Sequence, residues 1–456
     1  MGKSLLGNGH VIPSTPIAID MWNVKKCPQA RVFFLSHYHA DHLVGLTSAW
    51  KYPIYTSSIT AKFLINISKI NPALIKSLEI GEDHLIPLDS EGEELLTVTL
   101  YDANHCPGSV MFLFSGYFGD ILYTADFRYI AGMFEGFDIP PIDVLYLDNT
   151  YCSPECIFST KDDAIESVLS QLDLCLVQGE RVFLGLDSLG KEELLHRIAK
   201  ERQCKINVYQ TRKNILDILG MSDIVTTEPN TRIFVVPTNQ ISGKNFEKWN
   251  NESKTHAIIP TARFCGYKFK PFSKFRDIHV IPYSNHSSYY ELKDFVKLIK
   301  PRAIVPIVSR EMKGMFGADI SDRADMSVFQ QFLRDPFPSE CIIPESVKKT
   351  MNDSEAQLFS ALPLKKRKIA RPLNRPWRRP LAVGVRFIVS EDSGTDSDPD
   401  AIHIESKEFS NEDIMEYSSP STSESDESNE EKSGDTWEIT HLTGEGPPTV
   451  YYVREK

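Results

Sequence analysis

Three histidines and one aspartate lie within six positions of the stretch FFLSHYHADH (33–42). They are His37, His39, Asp41 and His42. Ligands on a helical face recur every three or four residues, whereas this spacing suits a strand that ends in a loop. Imidazole and carboxylate groups are costly to place behind an apolar strand unless they bind something. The motif therefore predicts that a small cation is bound where this strand ends.

Other apolar, strand-like segments end in the same kinds of side chain: Asp20, His105, Asp126, Asp148 and His286. Strands that bring such groups to one edge of a sheet would build a metal site on rigid elements. Each residue is a weak signal alone, and its type and its order behind the first motif strengthen the prediction. The remaining histidines are interpreted as ordinary surface or core residues: His10, His84, His196, His256, His279, His403 and His441.

Composition limits the fold class and the partners. A chain of 456 residues with 41% apolar side chains is long enough for two or three domains with a real core. A net charge of −12 excludes a globally basic surface. Eight cysteines without a Cys-x-x-Cys pair indicate a reduced, intracellular chain. No signal-peptide pattern and no apolar run of transmembrane length is found, so no membrane partner is expected.

The composition changes near residue 345, and residues 346–456 are predicted to form a disordered tail. The tail contains a basic cluster (364–380) and then a segment rich in Ser, Asp and Glu. Such a segment buries too little apolar surface to offset the entropy lost on ordering it. The basic cluster is typical of a nuclear import signal, with a solvated charge run as the alternative. We therefore expect a protein of the nucleus.

Longer strings around these residues resemble one family. The order H-x-H-x-D-H, later His, later Asp is similar to the metallo-β-lactamase fold. The strings DANHCPGSVMFLF, ILYTADFRY, LYLDNTYC, DSLGKEELL and PYSNHSSYYELK resemble its β-CASP branch, which acts on DNA in cross-link repair. The resemblance covers residues 10–345.

This resemblance implies an α/β protein: a metallo-β-lactamase αββα sandwich with an inserted β-CASP α/β domain and a disordered C-terminal tail. The sandwich would use residues 1–155 and 277–345, and the β-CASP domain would use residues 156–276. Strand-like and helical segments alternate in the inserted region, which favours a parallel or mixed sheet. The active site would lie in the cleft between the two domains.

The resemblance also implies the roles of the site residues. The ligands of a first metal ion would be His37, His39, His105 and Asp126, with Asp126 as the bridge. A second ion would be surrounded by Asp41, His42, Asp126 and His286, with Asp20 and Asp148 as nearby acids. These donors suit zinc, as one ion or two, with magnesium or manganese as the alternative at the second position. The predicted catalytic residues are Asp41, His42 and Asp126. Asp41 would be a ligand, would orient the attacking water, or would accept its proton, and Cys106 is interpreted as structural.

Two stretches bear on the substrate. In DSLGKEELLHRIAK (187–200), Ser188 is interpreted as a helix N-cap, with Gly190 and Lys191 opening the helix. A helix N-terminus with a lysine suits a phosphate, although an ordinary capped helix is the alternative. The resemblance favours Lys191 as the group that holds a terminal 5′ phosphate, with further donors from Ser287 and Ser288. The stretch 261–277 interleaves cations with aromatics, which is typical of single-strand binding, with a loop of core aromatics as the alternative.

The function implied is a metal-dependent 5′→3′ DNA exonuclease that hydrolyses phosphodiester bonds from 5′-phosphorylated ends. It would serve interstrand cross-link repair and telomere end processing, with DNA and DNA-repair proteins as partners. One alternative is a scaffold or end-protection protein; another is a hydrolase of RNA or small molecules, which an apolar Val308 argues against. The chain departs from the family at Ala125 (usually Gly) and Asn285 (often Asp). The vertebrate-type telomere docking motif Tyr/Phe-x-Leu-x-Pro is absent from residues 346–456.

Overall fold

The computed structural model of the protein describes residues 9–177, 179–267, 271–314, 317–335, 341–353 and 365–367. The strands are β1 (His10–Val11), β2 (Ile17–Ile19), β3 (Val32–Phe34), β4 (Ile54–Ser57), β5 (Ile75–Leu78), β6 (Asp83–Pro87), β7 (Leu95–Asp102), β8 (Val110–Gly116), β9 (Gly119–Tyr123), β10 (Val144–Leu147), β11 (Arg181–Leu186), β12 (Ile206–Asn207), β13 (Val225–Thr226), β14 (Ile233–Pro237), β15 (Thr255–Pro260), β16 (Ile278–Ile281), β17 (Ala303–Pro306) and β18 (Lys365–Arg367). The α-helices are α1 (Ser58–Asn66), α2 (Lys161–Val177), α3 (Glu192–Arg202), α4 (Gln210–Ile218), α5 (Gly243–Glu252), α6 (Tyr289–Ile299) and α7 (Glu345–Asn352).

Two sheets face each other. The first has the order β1-β2-β3-β4-β5, and the second has the order β17-β10-β9-β8-β7-β6-β18. Side chains alternate between the two faces of a strand, so neighbours in β3 enter different cores. Phe34 packs between the sheets against Phe112 and Phe114 of β8, whereas Phe33 packs on the outer face beside Leu64 of α1. This arrangement places a core between two sheets and a helix outside the first.

The outer face of the second sheet is covered by α6. Its apolar residues Leu292, Phe295 and Val296 are buried against residues of β7 to β10. The N-terminus of α6 is fixed by a capping box, in which Ser288 and Glu291 satisfy each other's backbone N–H groups. Helix, sheet, sheet and helix therefore form an αββα sandwich.

The third sheet has the order β13-β12-β14-β11-β15-β16, and all its pairings are parallel. Helices α2, α3 and α4 cover one face, and α5 covers the other. Its strands lie in sequence between β10 and β17, which pair with each other in the second sheet. The third sheet is thus inserted into the sandwich, and the expected α/β fold class is confirmed. The exact boundaries at residues 155 and 276 stay a prediction.

The predicted disordered tail starts too early, because α7 continues to Asn352 and its Val347 is buried in the core between the two sheets. Most of the remaining tail lies outside the described residues, including the string searched for a telomere docking motif. Within the basic cluster, however, Lys365–Arg367 form β18, which pairs antiparallel with β6. No helix among the described residues is long and apolar enough to cross a membrane. All eight cysteines are free thiols.

Candidate metal centre

Five imidazoles converge on the carboxylate of Asp126. All six residues follow the end of a strand. His37, His39 and His42 follow β3, His105 follows β7, Asp126 follows β9 and His286 follows β16. The Nε2 atoms within 3.4–4.0 Å of Asp126 Oδ2 belong to His42, His105, His37 and His286. The fifth ring, that of His39, places Nδ1 3.0 Å from Nε2 of both His37 and His105. Residues up to 249 positions apart in sequence therefore meet at one carboxylate oxygen.

Every one of these rings has its other nitrogen hydrogen-bonded to the protein. His42 Nδ1 donates to Asp20 Oδ2, and His286 Nδ1 donates to Asp148 Oδ2, each at 2.8 Å. The remaining three donors and their acceptors are His37 Nδ1 to Ser36 Oγ (2.9 Å), His105 Nδ1 to the Asn285 carbonyl (3.0 Å) and His39 Nε2 to the Leu189 carbonyl (3.2 Å). In His37, His39 and His105 these bonds select the tautomer in which the inward-facing nitrogen carries a lone pair. Although burial opposes protonation, Asp126 and Asp20 raise the pKa of His42 well above its ordinary value, and Asp148 and Asp126 raise the pKa of His286 to about 9. These two rings must therefore release a proton when a metal ion binds.

The charges in the cluster are divided in a way that suits cation binding. Burial and neighbouring imidazoles hold the pKa of His37 and His105 well below the ordinary value, and burial also lowers the pKa of His39. These three rings are therefore neutral and able to donate lone pairs. Although burial opposes ionisation, His42 and His286 lower the pKa of Asp126 well below its usual range. Asp126 is thus an anion at the centre of the cluster.

The donor set fits a metal ion. The donor atoms form three groups, and within each group all atoms lie within 4.8 Å of one another. The groups are His37, His39, His105 and Cys106; His37, His42 and Asp126; and His105, Asp126 and His286. Two groups share Asp126, as a bridging carboxylate requires. Burial raises the pKa of the Cys106 thiol well above its ordinary value, so in the free protein this sulfur is protonated and is a poorer ligand than the imidazoles.

Asp41 lies at the rim of the cluster and not at its centre. Its Oδ2 is 3.8 Å from His42 Nε2, and its side chain is 59% exposed. The carboxylate therefore faces solvent beside the histidine predicted for the second metal position. Such a place suits a group that accepts a proton from water, and its assignment as a ligand stays a prediction.

The segment before α3 differs from the sequence prediction. Ser188 is not the N-cap; Lys191 occupies that position with φ −130° and makes no side-chain cap, and the helix begins at Glu192. The reason is that Gly190, at φ +106°, turns the chain and donates its N–H to Glu192 Oε2 at 2.7 Å. A Cβ at Gly190 would lie 2.6 Å from Asn285 Nδ2, so this turn also requires glycine for space.

The side chain of Lys191 is buried and paired. Its Nζ lies 3.2 Å from Asp187 Oδ2 and 5.7 Å from the centroid of the Tyr283 ring. Asp187 also pairs with the exposed Arg263 at 3.0 Å. The same segment touches the metal cluster, because the Leu189 carbonyl accepts from His39. A phosphate at Lys191 would therefore lie next to the cluster and would compete with Asp187.

Ser287 and Ser288 are not arranged as substrate donors. The Ser287 hydroxyl accepts from the Tyr129 N–H and donates to the Phe127 carbonyl, and the residue is 1% exposed. The Ser288 hydroxyl caps α6, and its N–H donates to Glu291 Oε2. These groups hold the His286 loop and the helix after it. Polarity beside His286 was the only sequence signal, and it does not distinguish a cap from a substrate donor.

The cationic and aromatic stretch 261–277 divides into two kinds of residue. Arg263, Lys274 and Arg276 are exposed. Phe272 and Phe275 pack against the core cluster on the α5 side of the third sheet, with Phe275 edge-on to Phe246. Residues 268–270 lie outside the described residues. The cations remain candidates for DNA contacts, whereas these two aromatics take the alternative role of core packing.

Two positions depart from the family pattern, and the structure explains one of them. Ala125 adopts φ +47°, a left-handed conformation that glycine takes at no steric cost. Asn285 donates Nδ2 to the Gly190 carbonyl at 2.7 Å, a bond that an aspartate cannot make. Val308 has its N–H and carbonyl bound by the side chain of Asn149. The side chains of Asn285 and Asn149 thus hold the backbone around the cluster.

Sequence reasoning missed a buried arginine behind the site. Arg128 is 2% exposed and donates to the Ser284 carbonyl at 2.8 Å and the Ser159 carbonyl at 2.7 Å. It also pairs with Glu291 at 3.1 Å. Arg128 thereby holds both ends of the loop that carries His286. The signal was present in the string ADFRY, where an arginine follows a predicted ligand by two positions.

The fold is an αββα sandwich with a parallel sheet inserted between two paired strands. Its strand ends carry a cluster of five histidines and one aspartate. These features together define the metallo-β-lactamase class of protein. A family model described as DNA repair metallo-beta-lactamase matches residues 220–312. The chain is therefore similar to the DNA repair metallo-beta-lactamase family.

Its relatives include proteins named for exonuclease activity and for cross-link repair. The chain is 40% identical over 385 residues to "5' exonuclease Apollo" of Mus musculus, which covers 83% of this chain and 65% of that protein. It is 42% identical over 355 residues to "5' exonuclease Apollo" of Danio rerio, covering 75% and 57%. It is 32% identical over 321 residues to "DNA cross-link repair 1A protein" of Homo sapiens, covering 65% and 30%. The matched region thus spans less than two thirds of each of these proteins.

Proposed function

We propose that this protein is a metal-dependent 5′→3′ DNA exonuclease that acts on 5′-phosphorylated ends in interstrand cross-link repair. The observation that carries the proposal is the Asp126-centred cluster with the Leu189–Lys191 segment directly beside it. The names of the relatives, a 5′ exonuclease and a cross-link repair protein, support DNA as the substrate and the 5′ end as the start. Location in the nucleus belongs to the same proposal, and telomere end processing stays a prediction.

The metal is proposed to be zinc, held as one ion or two by the five imidazoles and Asp126. Neutral imidazoles with carboxylates and no thiolate suit zinc, and the exposed Asp41 would allow magnesium or manganese at the second position. When bound, the metal activates water and neutralises charge on the phosphate group.

The protein's own groups would orient the reaction. Asp20 and Asp148 hold the rings of His42 and His286 through Nδ1, so that the lone pairs of these rings point inward. Asp41 stands at the solvent side of the cluster, where it would orient the attacking water or accept its proton. Lys191 would bind the terminal 5′ phosphate, with Asp187 released or shared when the phosphate enters.

The test is digestion of matched strands by the full chain. Single-stranded DNA labelled at its 3′ end is supplied with a 5′ phosphate or a 5′ hydroxyl, beside an RNA strand of the same sequence. We expect stepwise shortening of the labelled phosphorylated DNA, slower shortening of the hydroxyl form, little shortening of RNA, and loss of activity with a chelator.

Asp126→Asn is expected to abolish this shortening while leaving the melting temperature near that of the wild type, because an amide cannot supply the bridging charge. Asp120→Asn is the matched control, since Asp120 lies on β9 and bonds to Ser115 Oγ, away from the cluster. DNA binding without cleavage by the wild-type protein would favour the scaffold or end-protection alternative. Preferred cleavage of RNA would favour the RNA hydrolase.

A further inference from the structure

A second group of side chains that could hold a metal ion lies in the inserted domain. The donor atoms of Cys175, His256 and His279 all lie within 4.8 Å of one another. Cys175 is near the end of α2, His256 is on β15 and His279 is on β16. The sequence interpretation of the two histidines as ordinary residues does not account for this convergence. None of the three belongs to the Asp126 cluster.

The register of the sheet explains why they meet. β15 and β16 are parallel, with Ile258 opposite His279. His256 lies two residues before Ile258, so side chains of His256 and His279 share one face of the sheet. The two rings are nearly parallel, with an interplanar angle of 21° and centroids 5.7 Å apart. Helix α2 covers this face and brings the Cys175 thiol to them; Cys175 is 1% exposed and His256 is 9% exposed.

Two ring nitrogens in this group lack a hydrogen-bond partner. His256 Nδ1 and His279 Nε2 are both buried and make no hydrogen bond. A buried polar atom without a partner costs about 1–3 kcal/mol, so proteins rarely leave two of them side by side. The other nitrogen of His256 bonds to the carboxylate of Glu180. That bond fixes the ring so that Nδ1 carries the lone pair, the same arrangement that the Asp126 cluster shows.

A carboxylate lies beside the group. Asp277 Oδ1 is 4.0 Å from His256 Nδ1, while Asp277 Oδ2 accepts from Lys254 at 2.6 Å. A tetrahedral zinc ion with bonds of about 2.0–2.3 Å holds its ligand atoms about 3.3–3.8 Å apart. The three donor atoms lie within 4.8 Å of one another, and Asp277 Oδ1 lies 4.0 Å from His256 Nδ1, so side-chain rotations would have to bring these atoms closer together around an ion.

We propose that Cys175, His256, His279 and Asp277 bind a structural zinc ion in the inserted domain. Four protein ligands are typical of a closed structural site, with no open coordination position for a substrate. Cys175 and His256 are buried, and His279 and Asp277 are half-buried. Glu180 acts as the outer carboxylate that orients His256.

The protonation states of the free protein are compatible with this role. Burial lowers the pKa of His279, with a further decrease from His256, so its ring is neutral. Burial raises the pKa of the Cys175 thiol, so this group must release its proton when the metal binds.

The ion would tie α2 to the edge of the third sheet. β16 is the edge strand, paired on one side with β15 alone. Five residues after β16 ends at Ile281, the chain reaches His286 of the Asp126 cluster. The proposed ion therefore stabilises the strand from which the His286 loop departs, without contacting the substrate.

The first experiment uses the unaltered full chain with cobalt in place of zinc. Cobalt bound by a thiolate gives a sulfur-to-metal charge-transfer absorption in the near ultraviolet, which imidazole and carboxylate ligands do not give. We expect this band in the wild type, its loss in Cys175→Ser, and its retention in Cys204→Ser, a half-buried thiol outside the group. Cys106→Ser is a second control, because Cys106 is the other thiol near a proposed metal. Absence of the band in the wild type, or its loss only in Cys106→Ser, overturns the proposal.

The second experiment counts zinc per chain by mass spectrometry in a His37→Ala/His39→Ala background, in which the Asp126 cluster is weakened. We expect one equivalent to remain and to disappear when Cys175→Ser or His279→Asn is added. His196→Asn, on α3 and outside the group, should keep it. Circular dichroism confirms that each protein is folded. A zinc content unchanged by both Cys175→Ser and His279→Asn would show that the group is a packing cluster and no metal site.

Discussion

Replacing Asp20 by asparagine tests whether the buried carboxylates behind the cluster control metal binding. Asp20 is 2% exposed and accepts three hydrogen bonds: from Ser36 N–H at 2.8 Å, Ser36 Oγ at 2.7 Å and His42 Nδ1 at 2.8 Å. Asparagine has the same shape, but one carboxylate oxygen becomes an NH2 group. If Oδ1 continues to accept from Ser36 N–H, the NH2 group faces His42 Nδ1.

Two donors then face each other, and the imidazole must move its proton to Nε2. That nitrogen lies 3.4 Å from Asp126 Oδ2 and is the one that the cluster offers to a metal. The lost charge-assisted hydrogen bond is worth about 1.5–3 kcal/mol. At about 1.4 kcal/mol per factor of ten, metal affinity at the His42 position should fall about tenfold to a hundredfold. Outer carboxylates of metal-binding histidines typically contribute effects of this size.

The assay combines metal titration with nuclease rates measured over a range of metal concentrations. We expect Asp20→Asn to need more metal for half-maximal rate and to recover activity when metal is in excess. Asp89→Asn is the matched control, because Asp89 is also buried and accepts N–H groups of Glu91, Gly92, Glu93 and Glu94 in a loop. It should lower the free energy of unfolding without changing metal affinity. An unchanged metal dependence in Asp20→Asn would refute the proposed control by the outer carboxylates.

Three further predictions concern the substrate, the fold and the cellular location. Lys191→Ala should slow digestion of 5′-phosphorylated strands about tenfold to a hundredfold more than digestion of 5′-hydroxyl strands. Arg263→Ala removes the exposed partner of Asp187 and should slow digestion of both strands to the same extent. Arg128→Met should lower the free energy of unfolding by about 3–5 kcal/mol in urea titrations, because it breaks a buried pair, whereas the surface pair of Arg197 should contribute about 0–1 kcal/mol. A fluorescent reporter fused to residues 346–456 should enter the nucleus, and neutralising the basic residues 365–368 should leave it in the cytoplasm; an unchanged nuclear signal would reduce the cluster to a solvated linker.

The histidines and aspartates of the cluster could be predicted from the sequence because they follow apolar strands. Runs of apolar residues predict the strands of an α/β fold, and a histidine or aspartate directly after such a run is easily recognised. Asp126 follows β9 and His105 follows β7, so the edge of the second sheet gathers them whatever the details of the loops. The three-residue spacing of His39 and His42 also shows that the chain leaves the strand before the second of them.

The groups that orient these side chains were less accessible. The partners of His39 and His105 are the backbone carbonyls of Leu189 and Asn285. Because every residue has a backbone carbonyl, the sequence does not show which one binds a histidine. Ser188 carries the side chain of an N-cap, but the left-handed turn at Gly190 moves the start of the helix past it. Local propensity predicted the cap, and the contact of this turn with the sandwich decided the conformation.

Backbone contacts of residues 189–190 connect the inserted sheet to the histidine cluster of the sandwich. The Leu189 carbonyl orients His39, and one residue later the Gly190 carbonyl accepts from Asn285 Nδ2. The Asn285 carbonyl in turn orients His105. Two histidines of the Asp126 cluster, His39 and His105, thus depend on one short segment after β11. In the proposed function, Lys191 of this segment also receives the terminal phosphate. One turn of backbone would then fix the distance between the end of the DNA strand and the metal, which an enzyme that removes nucleotides from an end requires.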